Sequence, residues 1–154
     1  MPAPEIVLAL QTRFGATPSP LGVELPVGSL LTAMRALRDA HGYRYYVLGT
    51  GIEQETTFEV VHAVRNPDSN DTIFVKVAVP KDAPEIDSIA FVYAGAEWQE
   101  REIWDLFGVT FSNHPDPRRI LMPDEYPGHP LRKSFAMDTP WGYRPATLTP
   151  ESGS

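Results

Sequence analysis

His114, Asp116 and His129 are residue types that bind zinc or iron, and a His-x-Asp pair with a second histidine further along could hold such an ion. Prolines flank both histidines and the spacing matches no known structural metal site, so hydrogen bonding or packing is the competing role. Glu100, Glu102 and Asp105 could serve as general acids or bases. They share a predicted helix with Arg101, however, and Glu97–Arg101 and Arg101–Asp105 both fall at i, i+4, so ion pairing and solvent account for them. The doublets Arg118–Arg119 and Arg132–Lys133 could contact phosphates or lipid headgroups, but the five acidic residues of 109–154 offset them. The interleaved aromatics of a single-strand binder are missing as well. Nothing matches G-x-G-x-x-G, G-x-x-x-x-G-K-[ST], H-E-x-x-H or G-x-S-x-G. The glycines of "YVLGTGIE" read as a turn at a strand end.

What could position these residues is bounded by composition. A chain of 154 residues, 42% hydrophobic and 21% charged, is the size and make-up of one globular domain. It has no apolar run of the roughly 20 residues a membrane span needs. The start "MPAPEIVLALQTRFG" lacks a basic region and a cleavage site, so a structural N-terminus is expected rather than a signal peptide. The complete absence of cysteine excludes disulfides, thiolate-held clusters and cysteine nucleophiles. A net charge of −7 argues against a nucleic-acid backbone as partner. All of that charge lies in residues 1–108, with 15 acidic and 8 basic side chains, whereas 109–154 carry 5 of each. Two regions with different tasks are implied.

The first region alternates helical and strand patterns. Residues 3–14 place Ile6, Val7, Leu10 and Phe14 on one helical face, and "GSLLTAMRALRDAHG" does the same with Leu30, Leu31, Met34 and Leu37. "LGVEL" is a short extended piece. "YRYYVLGTGI", "TTFEVVHAV" and "TIFVKVAV" read as a meander of strands, the last alternating Ile73, Val75, Val77 and Val79 with more polar positions. "AEWQEREIWDLFG" is a third helix ending at Gly108. The fold class expected is α+β, with helices on one face of a mixed, mainly antiparallel sheet over residues 1–108. Residues 109–154 hold 8 of the 16 prolines and form an extended C-terminal arm. Its apolar anchors Ile120, Leu121, Met122, Leu131 and Phe135 suit docking on a partner subunit. Docking on a partner is the expectation, and an arm folded back on its own domain, which the same anchors would suit, is the alternative. Trp141 and Tyr143 are candidate anchors of the extreme C-terminus.

Over residues 97–135 the sequence resembles the signature of the C subunit (30 kDa type) of proton-pumping NADH:quinone oxidoreductase, respiratory complex I. The resemblance rests on Glu100-Arg101-Glu102, Asp105-Leu106-Phe107-Gly108, His114-Pro115-Asp116, Arg118-Arg119-Ile120-Leu121, Pro123-Asp124 and Gly128-His129-Pro130-Leu131-Arg132-Lys133. It is looser over residues 20–136. Two positions depart from the family pattern: Asn113 stands for a glycine and Ser134 for an aspartate. The resemblance implies a non-catalytic core subunit of the peripheral arm, beside the quinone-site subunit on the cytoplasmic side of the membrane or the organelle equivalent. It implies no cofactor on this chain, with flavin, iron–sulfur clusters and quinone in partner subunits. Glu100, Arg101, Glu102, His114, Asp116, Arg118, Arg119, His129, Arg132 and Lys133 would then belong to the partner interface. An equivalent subunit of a membrane-bound nickel–iron hydrogenase or ferredoxin-dependent complex is the alternative. A stand-alone metal hydrolase built on His114, Asp116 and His129 is the rival from another class.

Overall fold

The structure, a computed structural model, describes residues 2–135, so the expectation for Trp141 and Tyr143 lies outside the described residues. Helix α1 spans Pro4–Phe14, strands β1 and β2 span Thr17–Ser19 and Gly22–Leu25, and helix α2 spans Leu30–Asp39 after a 3-10 turn at Val27–Ser29. The meander follows as β3 (Tyr45–Glu53), β4 (Thr57–Asn66) and β5 (Asp71–Pro80). The chain continues through β6 (Glu85–Asp87), helix α3 (Ala96–Phe107) and β7 (Thr110–Ser112).

The five-stranded sheet has the order β1-β2-β5-β4-β3, antiparallel except where β2 runs parallel to β5. A mixed, mainly antiparallel sheet was expected, and the alternation in β5 has the predicted consequence. Ile73, Val75, Val77 and Val79 are fully buried, while Thr72, Phe74, Lys76 and Ala78 between them are only partly covered. The pairings Val23↔Val75, Leu25↔Val77 and Val60↔Val77 carry this face across the sheet. One core forms there with Leu10 of α1, Leu30, Ala33, Met34 and Leu37 of α2, and Ile103 of α3. The helices turn their apolar stripes into that core and so lie on its side of the sheet.

The glycines of "YVLGTGIE" form no turn. Strand β3 runs straight through Gly49 and Gly51 to Glu53, and both stand opposite core positions of β4, Gly49↔His62 and Gly51↔Val60. Helix α3 lies close over them. A Cβ at Gly51 would meet the Phe107 ring at 2.8 Å and Ile103 at 3.3 Å. Here the missing side chain serves close approach between helix and strand, not backbone freedom.

Beyond the Gly108 boundary taken from the sequence, Thr110–Ser112 still pair with the body, parallel to Glu85–Asp87. The chain then turns at Asn113, whose φ of 61° is the left-handed conformation a glycine would adopt readily. Asparagine tolerates that region better than most residues, so it can stand where the resemblance implies a glycine.

Candidate functional site

The chemistry-bearing residues converge on one helix. On α3 the residues Glu100, Arg101, Ile103 and Asp105 are buried. Gly108 closes the helix with a φ of 79°. Residues 113–135 lie along α3, and the polar contacts between the two concentrate in two clusters.

The first is a knot around Asp105. One carboxylate oxygen accepts the backbone N–H groups of Ile120 (3.2 Å), Leu121 (2.8 Å) and Met122 (2.8 Å). The other accepts from the Arg119 guanidinium at 2.6 Å. That guanidinium also donates to the carbonyls of Tyr126 (2.8 Å) and Gly128 (3.0 Å) and lies 5.4 Å from the centre of the Trp104 ring. Burial alone would raise the Asp105 carboxyl. The hydrogen bonds from Met122, Arg119, Leu121 and Ile120 outweigh it and hold the group below the ordinary carboxylate range.

The arm also caps the helix. The last carbonyls of an α-helix have no partner within it. Here Gly108 N–H donates to the Trp104 carbonyl, His129 Nδ1 to that of Asp105 (2.9 Å), Leu131 N–H to that of Leu106 (3.0 Å), and Arg132 Nε to that of Phe107. Arg119 and Arg132 thus place positive charge at the negative end of the helix dipole. A side chain at Gly108 would strike His129 at 2.5 Å, so that glycine is required by packing as well as by φ. Past the helix end, Lys133 N–H donates to Glu53, whose other oxygen accepts from Lys81 Nζ at 2.8 Å.

The second cluster lies nearer the start of α3. Glu100, wholly buried, accepts the Ser88 hydroxyl at 2.5 Å and the Ile89 N–H at 2.8 Å. Burial pushes its carboxyl up to about 7 in spite of those bonds. His114 Nε2 donates to the Glu97 carbonyl at 3.0 Å and stands 3.7 Å from the Glu100 carboxyl. His114 Nδ1 accepts the Asp116 N–H at 3.0 Å. Arg101 reaches past Glu100 to the carbonyls of Arg118 (3.1 Å) and Arg119 (3.0 Å), with Asp116 at 3.8 Å and the Trp98 ring centre at 5.0 Å.

This arrangement corrects one expectation. Glu100 and Asp105 are not ion-paired to Arg101 or hydrated; both are fully buried, and Arg101 donates to the arm's backbone instead. Nor do His114, Asp116 and His129 converge on a metal. The two histidines bind carbonyls eight residues apart on α3, about 12 Å along its axis, and Asp116 faces Arg118 at 2.6 Å. Among the described residues no group of three or more His, Cys, Asp or Glu could hold an ion. Of the ten residues expected at a partner surface, Arg101, His114, Arg119, His129 and Arg132 join the arm to α3, and Glu100 lies beneath it. Glu102, Arg118 and Lys133 are exposed, and Asp116 is half-buried.

Sequence reasoning passed over Ser88, Glu53 and Trp104, whose roles depend on long-range contacts that leave no local signal. It also gave no role to His62, fully buried on the core face of β4. There the Tyr46 hydroxyl meets Nδ1 at 2.9 Å and Nε2 has no partner among the described residues. Desolvation pushes that imidazole down to about 4, so it stays neutral near physiological pH.

The protein-family model for the respiratory-chain NADH dehydrogenase 30 Kd subunit matches residues 23–140. The C subunit of NADH-quinone oxidoreductase from Geobacter metallireducens is 46% identical over 88 residues, covering 57% of this chain and 54% of the relative. Its counterpart in Rhizobium etli is 49% identical over 83 residues, 54% of this chain and 41% of the relative. The chain thus spans about half the length of these curated relatives. The counterpart in Moorella thermoacetica is 36% identical over 120 residues, 77% of this chain and 81% of the relative. Among solved structures, a trypsin-resistant fragment of Nqo5 superposes with a TM-score of 0.60 at 27% identity, covering 71% of this chain and 93% of the fragment. A chain of an archaeal membrane-bound sulfane sulfur reductase has the same fold, with a TM-score of 0.61 at 20% identity over 71% of this chain and 70% of its own. With the family model spanning most of the chain and the docked arm inside the matched region, the chain belongs to the family of the 30 Kd subunit of respiratory-chain NADH dehydrogenase.

Proposed function

We propose that this chain is a non-catalytic structural subunit of a proton-translocating NADH:quinone oxidoreductase, seated in its peripheral arm beside the quinone-site subunit. The observation that carries the reading is where the family signature goes. Its buried charged groups fasten residues 113–135 to α3. Such use commits Asp105, Arg119, Arg101 and His129 to holding the arm and builds a rigid surface. The outward side of the same unit supplies contacts for a neighbour. Trp98, Leu121 and Leu131 are each more than half exposed, and Glu102, Arg118 and Lys133 stand among them in the sequence. An exposed tryptophan held by a buried arginine has the character of an interface anchor.

Flavin, iron–sulfur clusters and quinone then belong to partner subunits, consistent with a chain that has no cysteine. No helix among the described residues is long and apolar enough to cross a membrane. Affinity purification of the tagged chain from its native membranes tests the reading. NADH-oxidising flavin subunits and the quinone-site subunit should co-purify in equal amounts. Recovery of hydrogenase or ferredoxin-linked subunits instead would move the chain to a related complex, and recovery of the chain alone would contradict the structural role.

A further inference from the structure

Glu100 and Asp105 are both fully buried carboxyl groups on α3, but their surroundings differ in kind. Asp105 has a guanidinium and three N–H donors. Glu100 has one hydroxyl and one N–H, and no cation within hydrogen-bonding distance, since the neighbouring Arg101 is committed to arm carbonyls. The nearest titratable group, His114 Nε2 at 3.7 Å, belongs to the arm. A cavity of about 40 Å³ adjoins the pair, bordered by Arg101, Trp104 and Thr110 as well. That space is enough for one water molecule.

We propose that Glu100 and His114 form a buried proton-binding site at the joint between α3 and the arm, and that losing its proton loosens the arm's first turn. Both ring nitrogens of His114 are committed within the docked arm and to α3. Its Nδ1 already accepts the Asp116 N–H and its Nε2 proton is directed at the Glu97 carbonyl. An ionised Glu100 is therefore a buried charge with two neutral donors and no cation beside it, relieved by admitting water where His114 now packs.

The other groups facing the site do not substitute. Tyr46, from β3, is pushed upward by burial and by Glu100 itself, so its hydroxyl stays neutral. His62 behind it is neutral above about pH 4. Asp116 is held low by its hydrogen bond to Arg118 and remains charged. The loop at Ser88–Ile89 and strand β7 present no titratable side chain to Glu100.

The sign follows from the raised carboxyl. Between its ordinary value of 4.5 and about 7, the undocked state has released its proton and the docked state has not. Docking weakens by up to about tenfold per pH unit across that window and levels off above it. The test is amide hydrogen exchange of the full chain at Asp116 and Arg118, corrected for intrinsic exchange, between pH 5.5 and 8. Protection should fall by at least about tenfold in the wild type and stay level in Glu100→Gln. A ¹³C titration of the Glu100 carboxyl in the unmodified protein gives a readout that needs no variant. A midpoint near neutrality supports the site. A midpoint in the ordinary carboxylate range, level protection in the wild type, or an unchanged decline in Glu100→Gln would each overturn it.

Discussion

Asp105 and Glu100 sit a little over one turn apart on the same helix, equally buried, and hold the same arm in opposite ways. Around Asp105 the arm brings its own neutralising charge in Arg119 and folds three successive amides onto the carboxylate. Around Glu100 it brings only an imidazole whose two nitrogens are already committed. The lesson is that burial alone does not decide what an acidic residue does in a core; the donors delivered by a distant segment do. One end of α3 becomes a fixed anchor, and the other a joint that responds to protons.

The comparison breaks most visibly at the anchor. Asp105→Ala leaves Arg119 buried without its partner and strands the amides of residues 120–122, and should cost about 3–5 kcal/mol by chemical denaturation. A loss below about 1 kcal/mol would show that the arm contributes little to the fold. Arg119→Ala should follow at about 2–4 kcal/mol, with Arg119→Lys recovering only part because an ammonium cannot serve Asp105 and two carbonyls in one plane. Full recovery by lysine would reduce the knot to simple charge pairing.

pH sharpens the contrast without mutation. Asp105 is held below its ordinary range, so its stabilisation is complete above that range and is lost as the pH falls through it. Glu100 is raised, so its stabilisation is greatest in acid and is lost as the pH climbs from 4.5 toward about 7. Denaturation midpoints of Asp105→Asn should lose the acid limb, and those of Glu100→Gln the limb approaching neutrality. A shared pH profile for the two variants would erase the distinction. The smallest effect is expected at Arg118, whose side chain is 71% exposed even though it meets Asp116 at 2.6 Å. Arg118→Ala should leave the denaturation midpoint within error, whereas co-purification of the chain with its neighbours should weaken if the outward surface is the interface.

These differences could not be foreseen from neighbouring residues alone. The stripe of α2 and the alternation of β5 are local periodicities, and both were legible because one side of each element has to be buried. The parallel pairing of β2 with β5 and the close approach of α3 over Gly49 and Gly51 depend on elements dozens of residues apart, so the glycines looked like a turn. The i, i+4 rule paired Asp105 with Arg101. Both side chains instead turn toward an arm whose prolines and anchors were legible, but whose spacing pointed to a partner's carboxylates ahead of its own.

Residues 113–135 are part of this chain's own fold, fastened to α3 before any partner arrives. Amide hydrogen exchange of the isolated full-length chain at Ile120, Leu121, Met122 and Leu131 tests it directly. The account predicts strong protection at all four in the absence of other subunits, and loss of protection at the first three in Asp105→Ala. Exchange at the rate of an unstructured peptide in the isolated wild-type chain would contradict it, leaving the arm to be ordered by its partner alone.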